Sequence, residues 1–411
     1  MLHIAILGNV FVSWGGGIDC LKLYINALLC KSQATELKIY LLIPEENRFI
    51  VKVKNRLRPF KKMLIDISRG KYPHYVIDTI DEKVIMNSFN CFDNKINIVF
   101  YTSNKMGLID ALKKINADVV IPAFESLGSN FPYPWVGYLY DFQHKYYPEF
   151  FTDREIDNRN RAFSNMLNDA KAVIVNALDV KNDILKYYPE AKARVFNLPF
   201  SPVPRGEWLI TSNTIKEYKL PQKYFIISNQ FWIHKSHSTA FEALAILKNQ
   251  GICDYKIVCT GNTYDYRFPN YFGELNAKIA QLGLTKDISF LGYITKDDQI
   301  QIMRNSVAVL QPTLFEGGPG GGAVYDAVAL GIPAIVSDIP VNREIGDESI
   351  LFFNKSSAED MANQMLSLIK KYENKLIKRQ TEQELLEQGR IRLEILGKRL
   401  FDSVEYVLNS K

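Results

Sequence analysis

The chain has 411 residues, 47% of them hydrophobic and 23% charged, with 50 basic against 45 acidic side chains for a net charge of +5. That length is too great for one ordinary core and suggests two or three domains, while the composition excludes a disordered, collagen-like or coiled-coil chain. The charge excess is mild, so a nucleic-acid partner is not expected, and no uncharged apolar run approaches the roughly 18 residues needed to span a bilayer.

The opening run, from Met1 to Gly17, has no basic stretch before its apolar part and reads as a first strand, not a signal peptide. Strands are expected at His3–Leu7, Leu37–Ile43, Ile96–Tyr101, Asp118–Ile121, Val136–Tyr140, Ala172–Val175 and Arg194–Asn197. Helical periodicity fills several of the gaps between them, which is the pattern of a parallel sheet covered by helices. Lys52, Lys54, Arg56, Arg58, Lys61 and Lys62 cluster in one segment interrupted by Pro59. This segment (52–62) reads either as a solvated face or as a patch for an anionic membrane or acceptor. Three prolines between Asn197 and Arg205 mark a linker. A second alternating series follows, with strands at Tyr224–Ser228, Lys256–Cys259, Ile288–Leu291, Val307–Gln311 and Ala334–Ser337, and the stretch from about Lys375 to Asn409 reads as one or two long helices. The expected architecture is α/β: two Rossmann-like domains, 1–200 and 201–389, around a cleft, with a last helix near 390–411 packing back on the first domain. In such sheets ligands bind beyond the carboxyl ends of the strands. Five widely spaced cysteines without a CxxC pair argue against a disulfide framework and fit a reducing cytoplasm.

The most informative run is Phe315-Glu316-Gly317-Gly318-Pro319-Gly320-Gly321-Gly322, leading into Asp326-Ala327, Gly331-Ile332-Pro333 and Ser337-Asp338. It reads as strand, acidic loop, glycine run, helix (Gly322–Leu330), turn and strand. The glycines let backbone approach a ligand closely, and the helix start aims N–H groups at a phosphate, which makes Gly320, Gly321 and Gly322 donor-binding candidates. Glu316, where the loop leaves the strand, is placed to accept hydrogen bonds from sugar hydroxyls, and Asp326 suits a ribose diol. Asp297 and Asp298 could be mistaken for a metal pair but read as a helix N-cap.

These motifs resemble the family-four, retaining, nucleotide-sugar-dependent glycosyltransferases of the GT-B fold. That family's signature has two Glu separated by seven residues; here the acidic pair, Glu316 and Asp326, is ten apart, with extra glycine. The resemblance implies that Glu316 meets the donor sugar, that Lys235 is a diphosphate cation, and that Gln230 stands where the family has Arg. It implies compensation for that Arg by Arg267, the loop amides, or His234 and His237. Phe290-Leu291-Gly292-Tyr293 resembles the strand before the base site, which makes Tyr293 and Ile294 base contacts. In the first domain Gly15, Gly16 and Gly17 resemble the family's N-terminal glycine loop, Glu125 lies past a strand end, and Asp141 with His144 resembles a variant of its His-Asp segment. These are the acceptor-side and catalytic candidates.

The resulting expectation is a cytoplasmic hexosyltransferase, with possible peripheral contact with the membrane, that needs no metal or other cofactor. It would move a hexose from a nucleotide diphosphate sugar to a hydroxyl of a growing bacterial surface polysaccharide or lipid-linked glycan, such as O antigen. Mannose from GDP-mannose is favoured, because the loop variants look like those of polysaccharide mannosyl- and rhamnosyltransferases. Two rivals are a GT-B subunit that binds without catalysis and a nucleotide-sugar epimerase; donor turnover with and without an acceptor separates all three.

Overall fold

The computed structural model describes residues 1–13, 15–31, 36–45, 82–210, 217–376 and 380–410. The basic segment 52–62 lies outside the described residues.

Seven parallel strands form the first sheet: β1 (Leu2–Leu7), β2 (Leu37–Glu45), β3 (Asn97–Thr102), β4 (Val119–Ala123), β5 (Trp135–Leu139), β6 (Ala172–Val175) and β7 (Arg194–Asn197), in spatial order β3-β2-β1-β4-β5-β6-β7. Along β1, Ile4 and Ile6 enter one core cluster while Ala5 and Leu7 enter another. The period of two therefore sorts an unbroken apolar run onto both faces, as a sheet covered on both sides requires. The covering helices include α1 (Gly15–Lys31), α2 (Glu82–Phe89), α3 (Lys105–Lys114), α4 (Asp153–Asp169) and α5 (Leu178–Tyr187). A Thr152–Glu155 capping box starts α4, each side chain bonding the other's backbone N–H.

The second sheet has six parallel strands: β8 (Tyr224–Ser228), β9 (Lys256–Thr260), β10 (Ile288–Phe290), β11 (Val309–Gln311), β12 (Ala334–Asp338) and β13 (Ile350–Asn354), ordered β10-β9-β8-β11-β12-β13. Phe225 and Ile227 face one cluster, Tyr224 and Ile226 the other. Its helices are α6 (His237–Asn249), α7 (Tyr271–Gln281), α8 (Lys296–Arg304), α9 (Gly321–Ala329) and α10 (Ala358–Glu373). Strand β13 escaped the sequence reading, because Ile350-Leu351-Phe352-Phe353 is a short edge run with no alternation. The cap of α8 is Thr295, whose Oγ1 accepts the Asp298 N–H at 3.2 Å. Asp297 and Asp298 occupy the first turn instead, where the helix dipole favours carboxylates.

The last helix, α11 (Glu382–Asn409), returns to the first domain, where Leu396, Leu400, Val404 and Val407 join the core cluster of β1. A Cβ at Gly397 would collide with the Ala27 carbonyl, so glycine permits the close crossing of α1 and α11. Among the described residues, no helix is long and apolar enough to cross a membrane.

Candidate active site

Each sheet reverses its strand order once, between β1 and β4 in the first and between β8 and β11 in the second. Such a switch point leaves a crevice at the carboxyl ends of the two central strands. The segment after β8 carries Asn229, Gln230 and Lys235, and the segment after β11 carries Glu316. Lys235 Nζ donates to Glu316 Oε1 at 2.5 Å, with the side chains only 12% and 10% exposed. Gln311, the last residue of β11 and fully buried, donates its amide to the same oxygen at 2.9 Å and accepts from Asn229 Nδ2 at 2.6 Å. A nearly buried carboxylate is thus fixed by a cation from the turn after the neighbouring strand and by an amide relay at the carboxyl ends of both strands. Charge-assisted bonds of this kind are roughly twice as strong as neutral ones.

The glycine run crosses the gap to the first domain. A Cβ at Gly317 would strike the Tyr140 carbonyl, and one at Gly318 would press on Asn176. Those residues follow β5 and β6, so the carboxyl ends of the two sheets face each other there. Gly320 and Gly321 adopt φ of +68° and +62°, conformations that favour glycine. The Gly320 N–H donates to Asn342 Oδ1 at 2.8 Å and is thereby occupied, whereas Gly322, the second residue of α9, is exposed. Tyr147, beyond β5, donates its hydroxyl to the Leu314 carbonyl at 3.3 Å.

Asp326 is buried one turn into α9 and accepts from Lys296 Nζ at 2.6 Å and Gln299 Nε2 at 3.2 Å. Lys296 also reaches Asp19 of α1 at 3.3 Å, and Asp19 accepts from Arg205 of the linker at 2.6 Å. Burial alone would lower the Lys296 ammonium, but Asp326 and Asp19 outweigh it and hold its pKa above the ordinary value. Burial acts to raise Asp19, and Lys296 and Arg205 overcome it to hold the carboxyl below the usual range. At Asp326 burial outweighs Lys296 and holds the carboxyl above the usual range, and the hydrogen bonds link these groups into one network that ties both domains to the linker.

On the first-domain side Asp141 pairs with Arg159 of α4, whose Nε donates to His144 Nδ1 at 3.1 Å. The other His144 nitrogen bonds Asn160 Oδ1 at 3.0 Å, so both ring nitrogens are engaged in a buried site. Burial, with Arg159 beside it, pushes the imidazole down to about 4 and keeps it neutral. The geometry makes His144 a brace for Arg159, whose guanidinium also lies over the Tyr140, Phe151 and Phe163 rings. Arg267 bonds Asp265 at 3.3 Å and Gln143 across the cleft at 3.4 Å, between the Trp232 and Phe151 rings. Burial, reinforced by Lys235, holds His234 well below its ordinary value and pushes His237 down to about 3. Neither imidazole therefore carries charge at neutral pH, and neither replaces the cation missing at Gln230, which is exposed. Tyr293 is 79% exposed after β10, whereas the neighbouring Ile294 packs against the core. Gly15, Gly16 and Gly17 open α1 after β1, and Glu125 is exposed after β4, at the first sheet's switch point. Among the described residues no group of three His, Cys, Asp or Glu side chains is placed to hold a metal ion.

Arg159, Asp19, Lys296, Gln311 and Asn229 were not singled out from the sequence. Only Gln311 carried a local signal, as a polar residue ending an apolar strand; the others act through partners distant in the chain.

Superposed on sucrose-phosphate synthase from Thermosynechococcus elongatus, the structure gives a TM-score of 0.64 at 13% identity, with 100% of both chains covered. The chain has the GT-B fold. The GT-B chain also resembles Anabaena HepE, solved with UDP and glucose, at a TM-score of 0.62 and 14% identity over 98% of this chain and 100% of that one. Residues 212–384 of its second domain match the family model described as glycosyl transferases group 1. In sequence it is 23% identical over 219 residues to the O-antigen chain mannosyltransferase RfbU of Salmonella typhimurium, which is 53% of this GT-B chain and 55% of that relative. The chain thus spans about half the length of that curated relative.

Proposed function

We propose that this chain is a retaining, metal-independent glycosyltransferase that moves a hexose, with mannose from GDP-mannose favoured, onto a hydroxyl of a growing surface glycan. The observation that carries the reading is the Lys235–Glu316 pair at the second sheet's switch point, under a glycine loop packed against the first domain. The group 1 match over that domain and the O-antigen mannosyltransferase likeness support the activity and the acceptor class; HepE's complex supports a nucleotide-sugar donor.

In this reading the donor diphosphate takes Lys235 and the amides of Gly321 and Gly322, while the Gly320 N–H stays with Asn342 and shapes the loop. The lysine, released from Glu316, then neutralises charge on the leaving group. Glu316, still held by Gln311, accepts from the sugar hydroxyls and favours positive charge at the anomeric carbon. Asp326, backed by Lys296, meets the ribose, Tyr293 and Ile294 meet the base, and Gln230 lies on the diphosphate side with Lys235. Asp141, Glu125 and the Gly15–Gly17 turn lie on the acceptor side. Contact of Gly317 with Tyr140 closes the cleft and excludes water that would otherwise hydrolyse the donor. Action at the inner membrane face, with the basic charge of segment 52–62 attracting anionic lipid, completes the proposal.

The test is nucleoside diphosphate release from a panel of nucleotide sugars by pure protein, with and without a glycan acceptor, and NMR of the new linkage. Acceptor-dependent release with retained anomeric configuration supports the reading. Donor binding without turnover points to a non-catalytic subunit, and donor conversion without acceptor points to an epimerase; either result overturns it.

A further inference from the structure

Helix α5 of the first domain begins without a cap of its own. Its N-cap is Ala177, which has no side-chain acceptor, although its backbone is extended as a cap requires. The first two N–H groups, of Leu178 and Asp179, instead donate at 2.7 and 2.8 Å to the two carboxylate oxygens of Glu344. Glu344 belongs to the second domain, in the turn Pro340–Glu344 that follows β12. Free N–H groups and the helix dipole both favour a carboxylate at that position.

The same turn also reaches the donor loop. Asn342, fully buried, accepts the Gly320 N–H at 2.8 Å and donates to the Ser337 carbonyl at 2.8 Å. Between these anchors Ile339 and Val341 sit in a core cluster of the first domain. Two residues before Leu178, Asn176 touches Gly318 of the loop. The glycine loop, this turn and the start of α5 therefore form one packed unit across the cleft.

We propose that Glu344 is a positioning residue for transfer: it caps α5 from the opposite domain and so fixes the acceptor side against the donor loop. The proposal rests on the glycosyltransferase reading above, but its domain arm does not need turnover. A cap supplied from within the first domain would satisfy α5 equally well; a cap supplied across the cleft also sets the angle between the sheets.

The test uses the full chain with Glu344→Ala, and with Glu344→Ala combined with Ala177→Ser, which gives α5 a local cap. In the absence of any ligand, small-angle scattering of both variants is expected to show a larger radius of gyration than the wild type. Serine should recover the melting temperature, while acceptor-dependent kcat stays at least about tenfold down, as misalignment across a cleft predicts. Affinity for free nucleoside diphosphate should remain within about threefold of wild type, because its contacts lie in the second domain. Recovery of transfer together with melting temperature, or an unchanged radius in both variants, would show that Glu344 caps a helix and nothing more. If the wild type turns over no donor, the enzyme reading fails, and the scattering result still decides the cap.

Discussion

The two sides of the cleft are built differently. In the second domain Asn229, Lys235, Gln311 and Glu316 come from two short segments that leave adjacent central strands, and they bond one another directly. In the first domain Asp141 leaves a strand end, but what fixes it is Arg159, from the middle of α4, braced by His144 and stacked on three aromatic rings. The subsite proposed for the donor can thus be written into a few consecutive residues, because backbone geometry places them. The one proposed for the acceptor depends on a helix side chain and is written into tertiary packing.

The largest effect that would sharpen this contrast is expected at Lys235. Lys235→Met keeps the apolar stem but removes the charge, so kcat/KM for donor should fall by about 100- to 1000-fold. The protein should also lose about 3 kcal/mol of stability, because the Glu316 carboxylate loses its cation and keeps, among the described residues, the Gln311 amide. Normal donor kinetics in a destabilised variant would reduce the pair to a structural bridge.

A smaller effect belongs to Arg159. Lysine cannot both pair with Asp141 and stack in the same plane. Arg159→Lys should therefore raise KM for acceptor and slow transfer by about tenfold, while donor hydrolysis and nucleoside diphosphate binding change little. Equal losses in donor hydrolysis and acceptor transfer would break the proposed division between the two domains.

The smallest effect is a slope with pH. His144 titrates near 6.5 when unfolded but is pushed down to about 4 in the fold. Between those values the unfolded chain binds a proton that the native chain refuses, so stability present above pH 6.5 is lost as pH falls through the window. Asp183, raised by burial to about 6, slopes the opposite way in any variant that retains it. The comparison of His144→Gln with wild type isolates the histidine: the variant should lose less stability from pH 7 to pH 4.5 in parallel thermal melts. Parallel curves would mean that the imidazole is not held neutral.

Much of this organisation was legible in the sequence, for physical reasons that can be named. Runs such as Ile4 to Leu7 and Phe225 to Ile227 are apolar on both faces, which a parallel sheet between helix layers demands. The glycine run needs its composition, since Gly317 has no room for a Cβ and Gly320 and Gly321 take positive φ. Partner choice was not legible. Nothing local to Asp326 tells that Lys296 and, through it, Asp19 would enclose it, and nothing near Ala177 tells that Glu344 caps its helix. His144 looked like a reactive group because of its neighbour Asp141, whereas its two ring nitrogens are occupied by α4.

The account turns on Glu316, and one variant measured two ways tests it most directly. Glu316→Gln keeps the size and an acceptor oxygen for Lys235 and Gln311 but removes the charge. Its melting temperature should fall by the equivalent of about 1–3 kcal/mol, because Lys235 keeps an acceptor but loses its counter-charge. It should still bind free nucleoside diphosphate, yet transfer sugar at least about 100-fold more slowly, as loss of an electrostatic stabiliser predicts. Lowered stability with transfer near the wild-type rate would contradict the assignment and leave Glu316 as a loop brace.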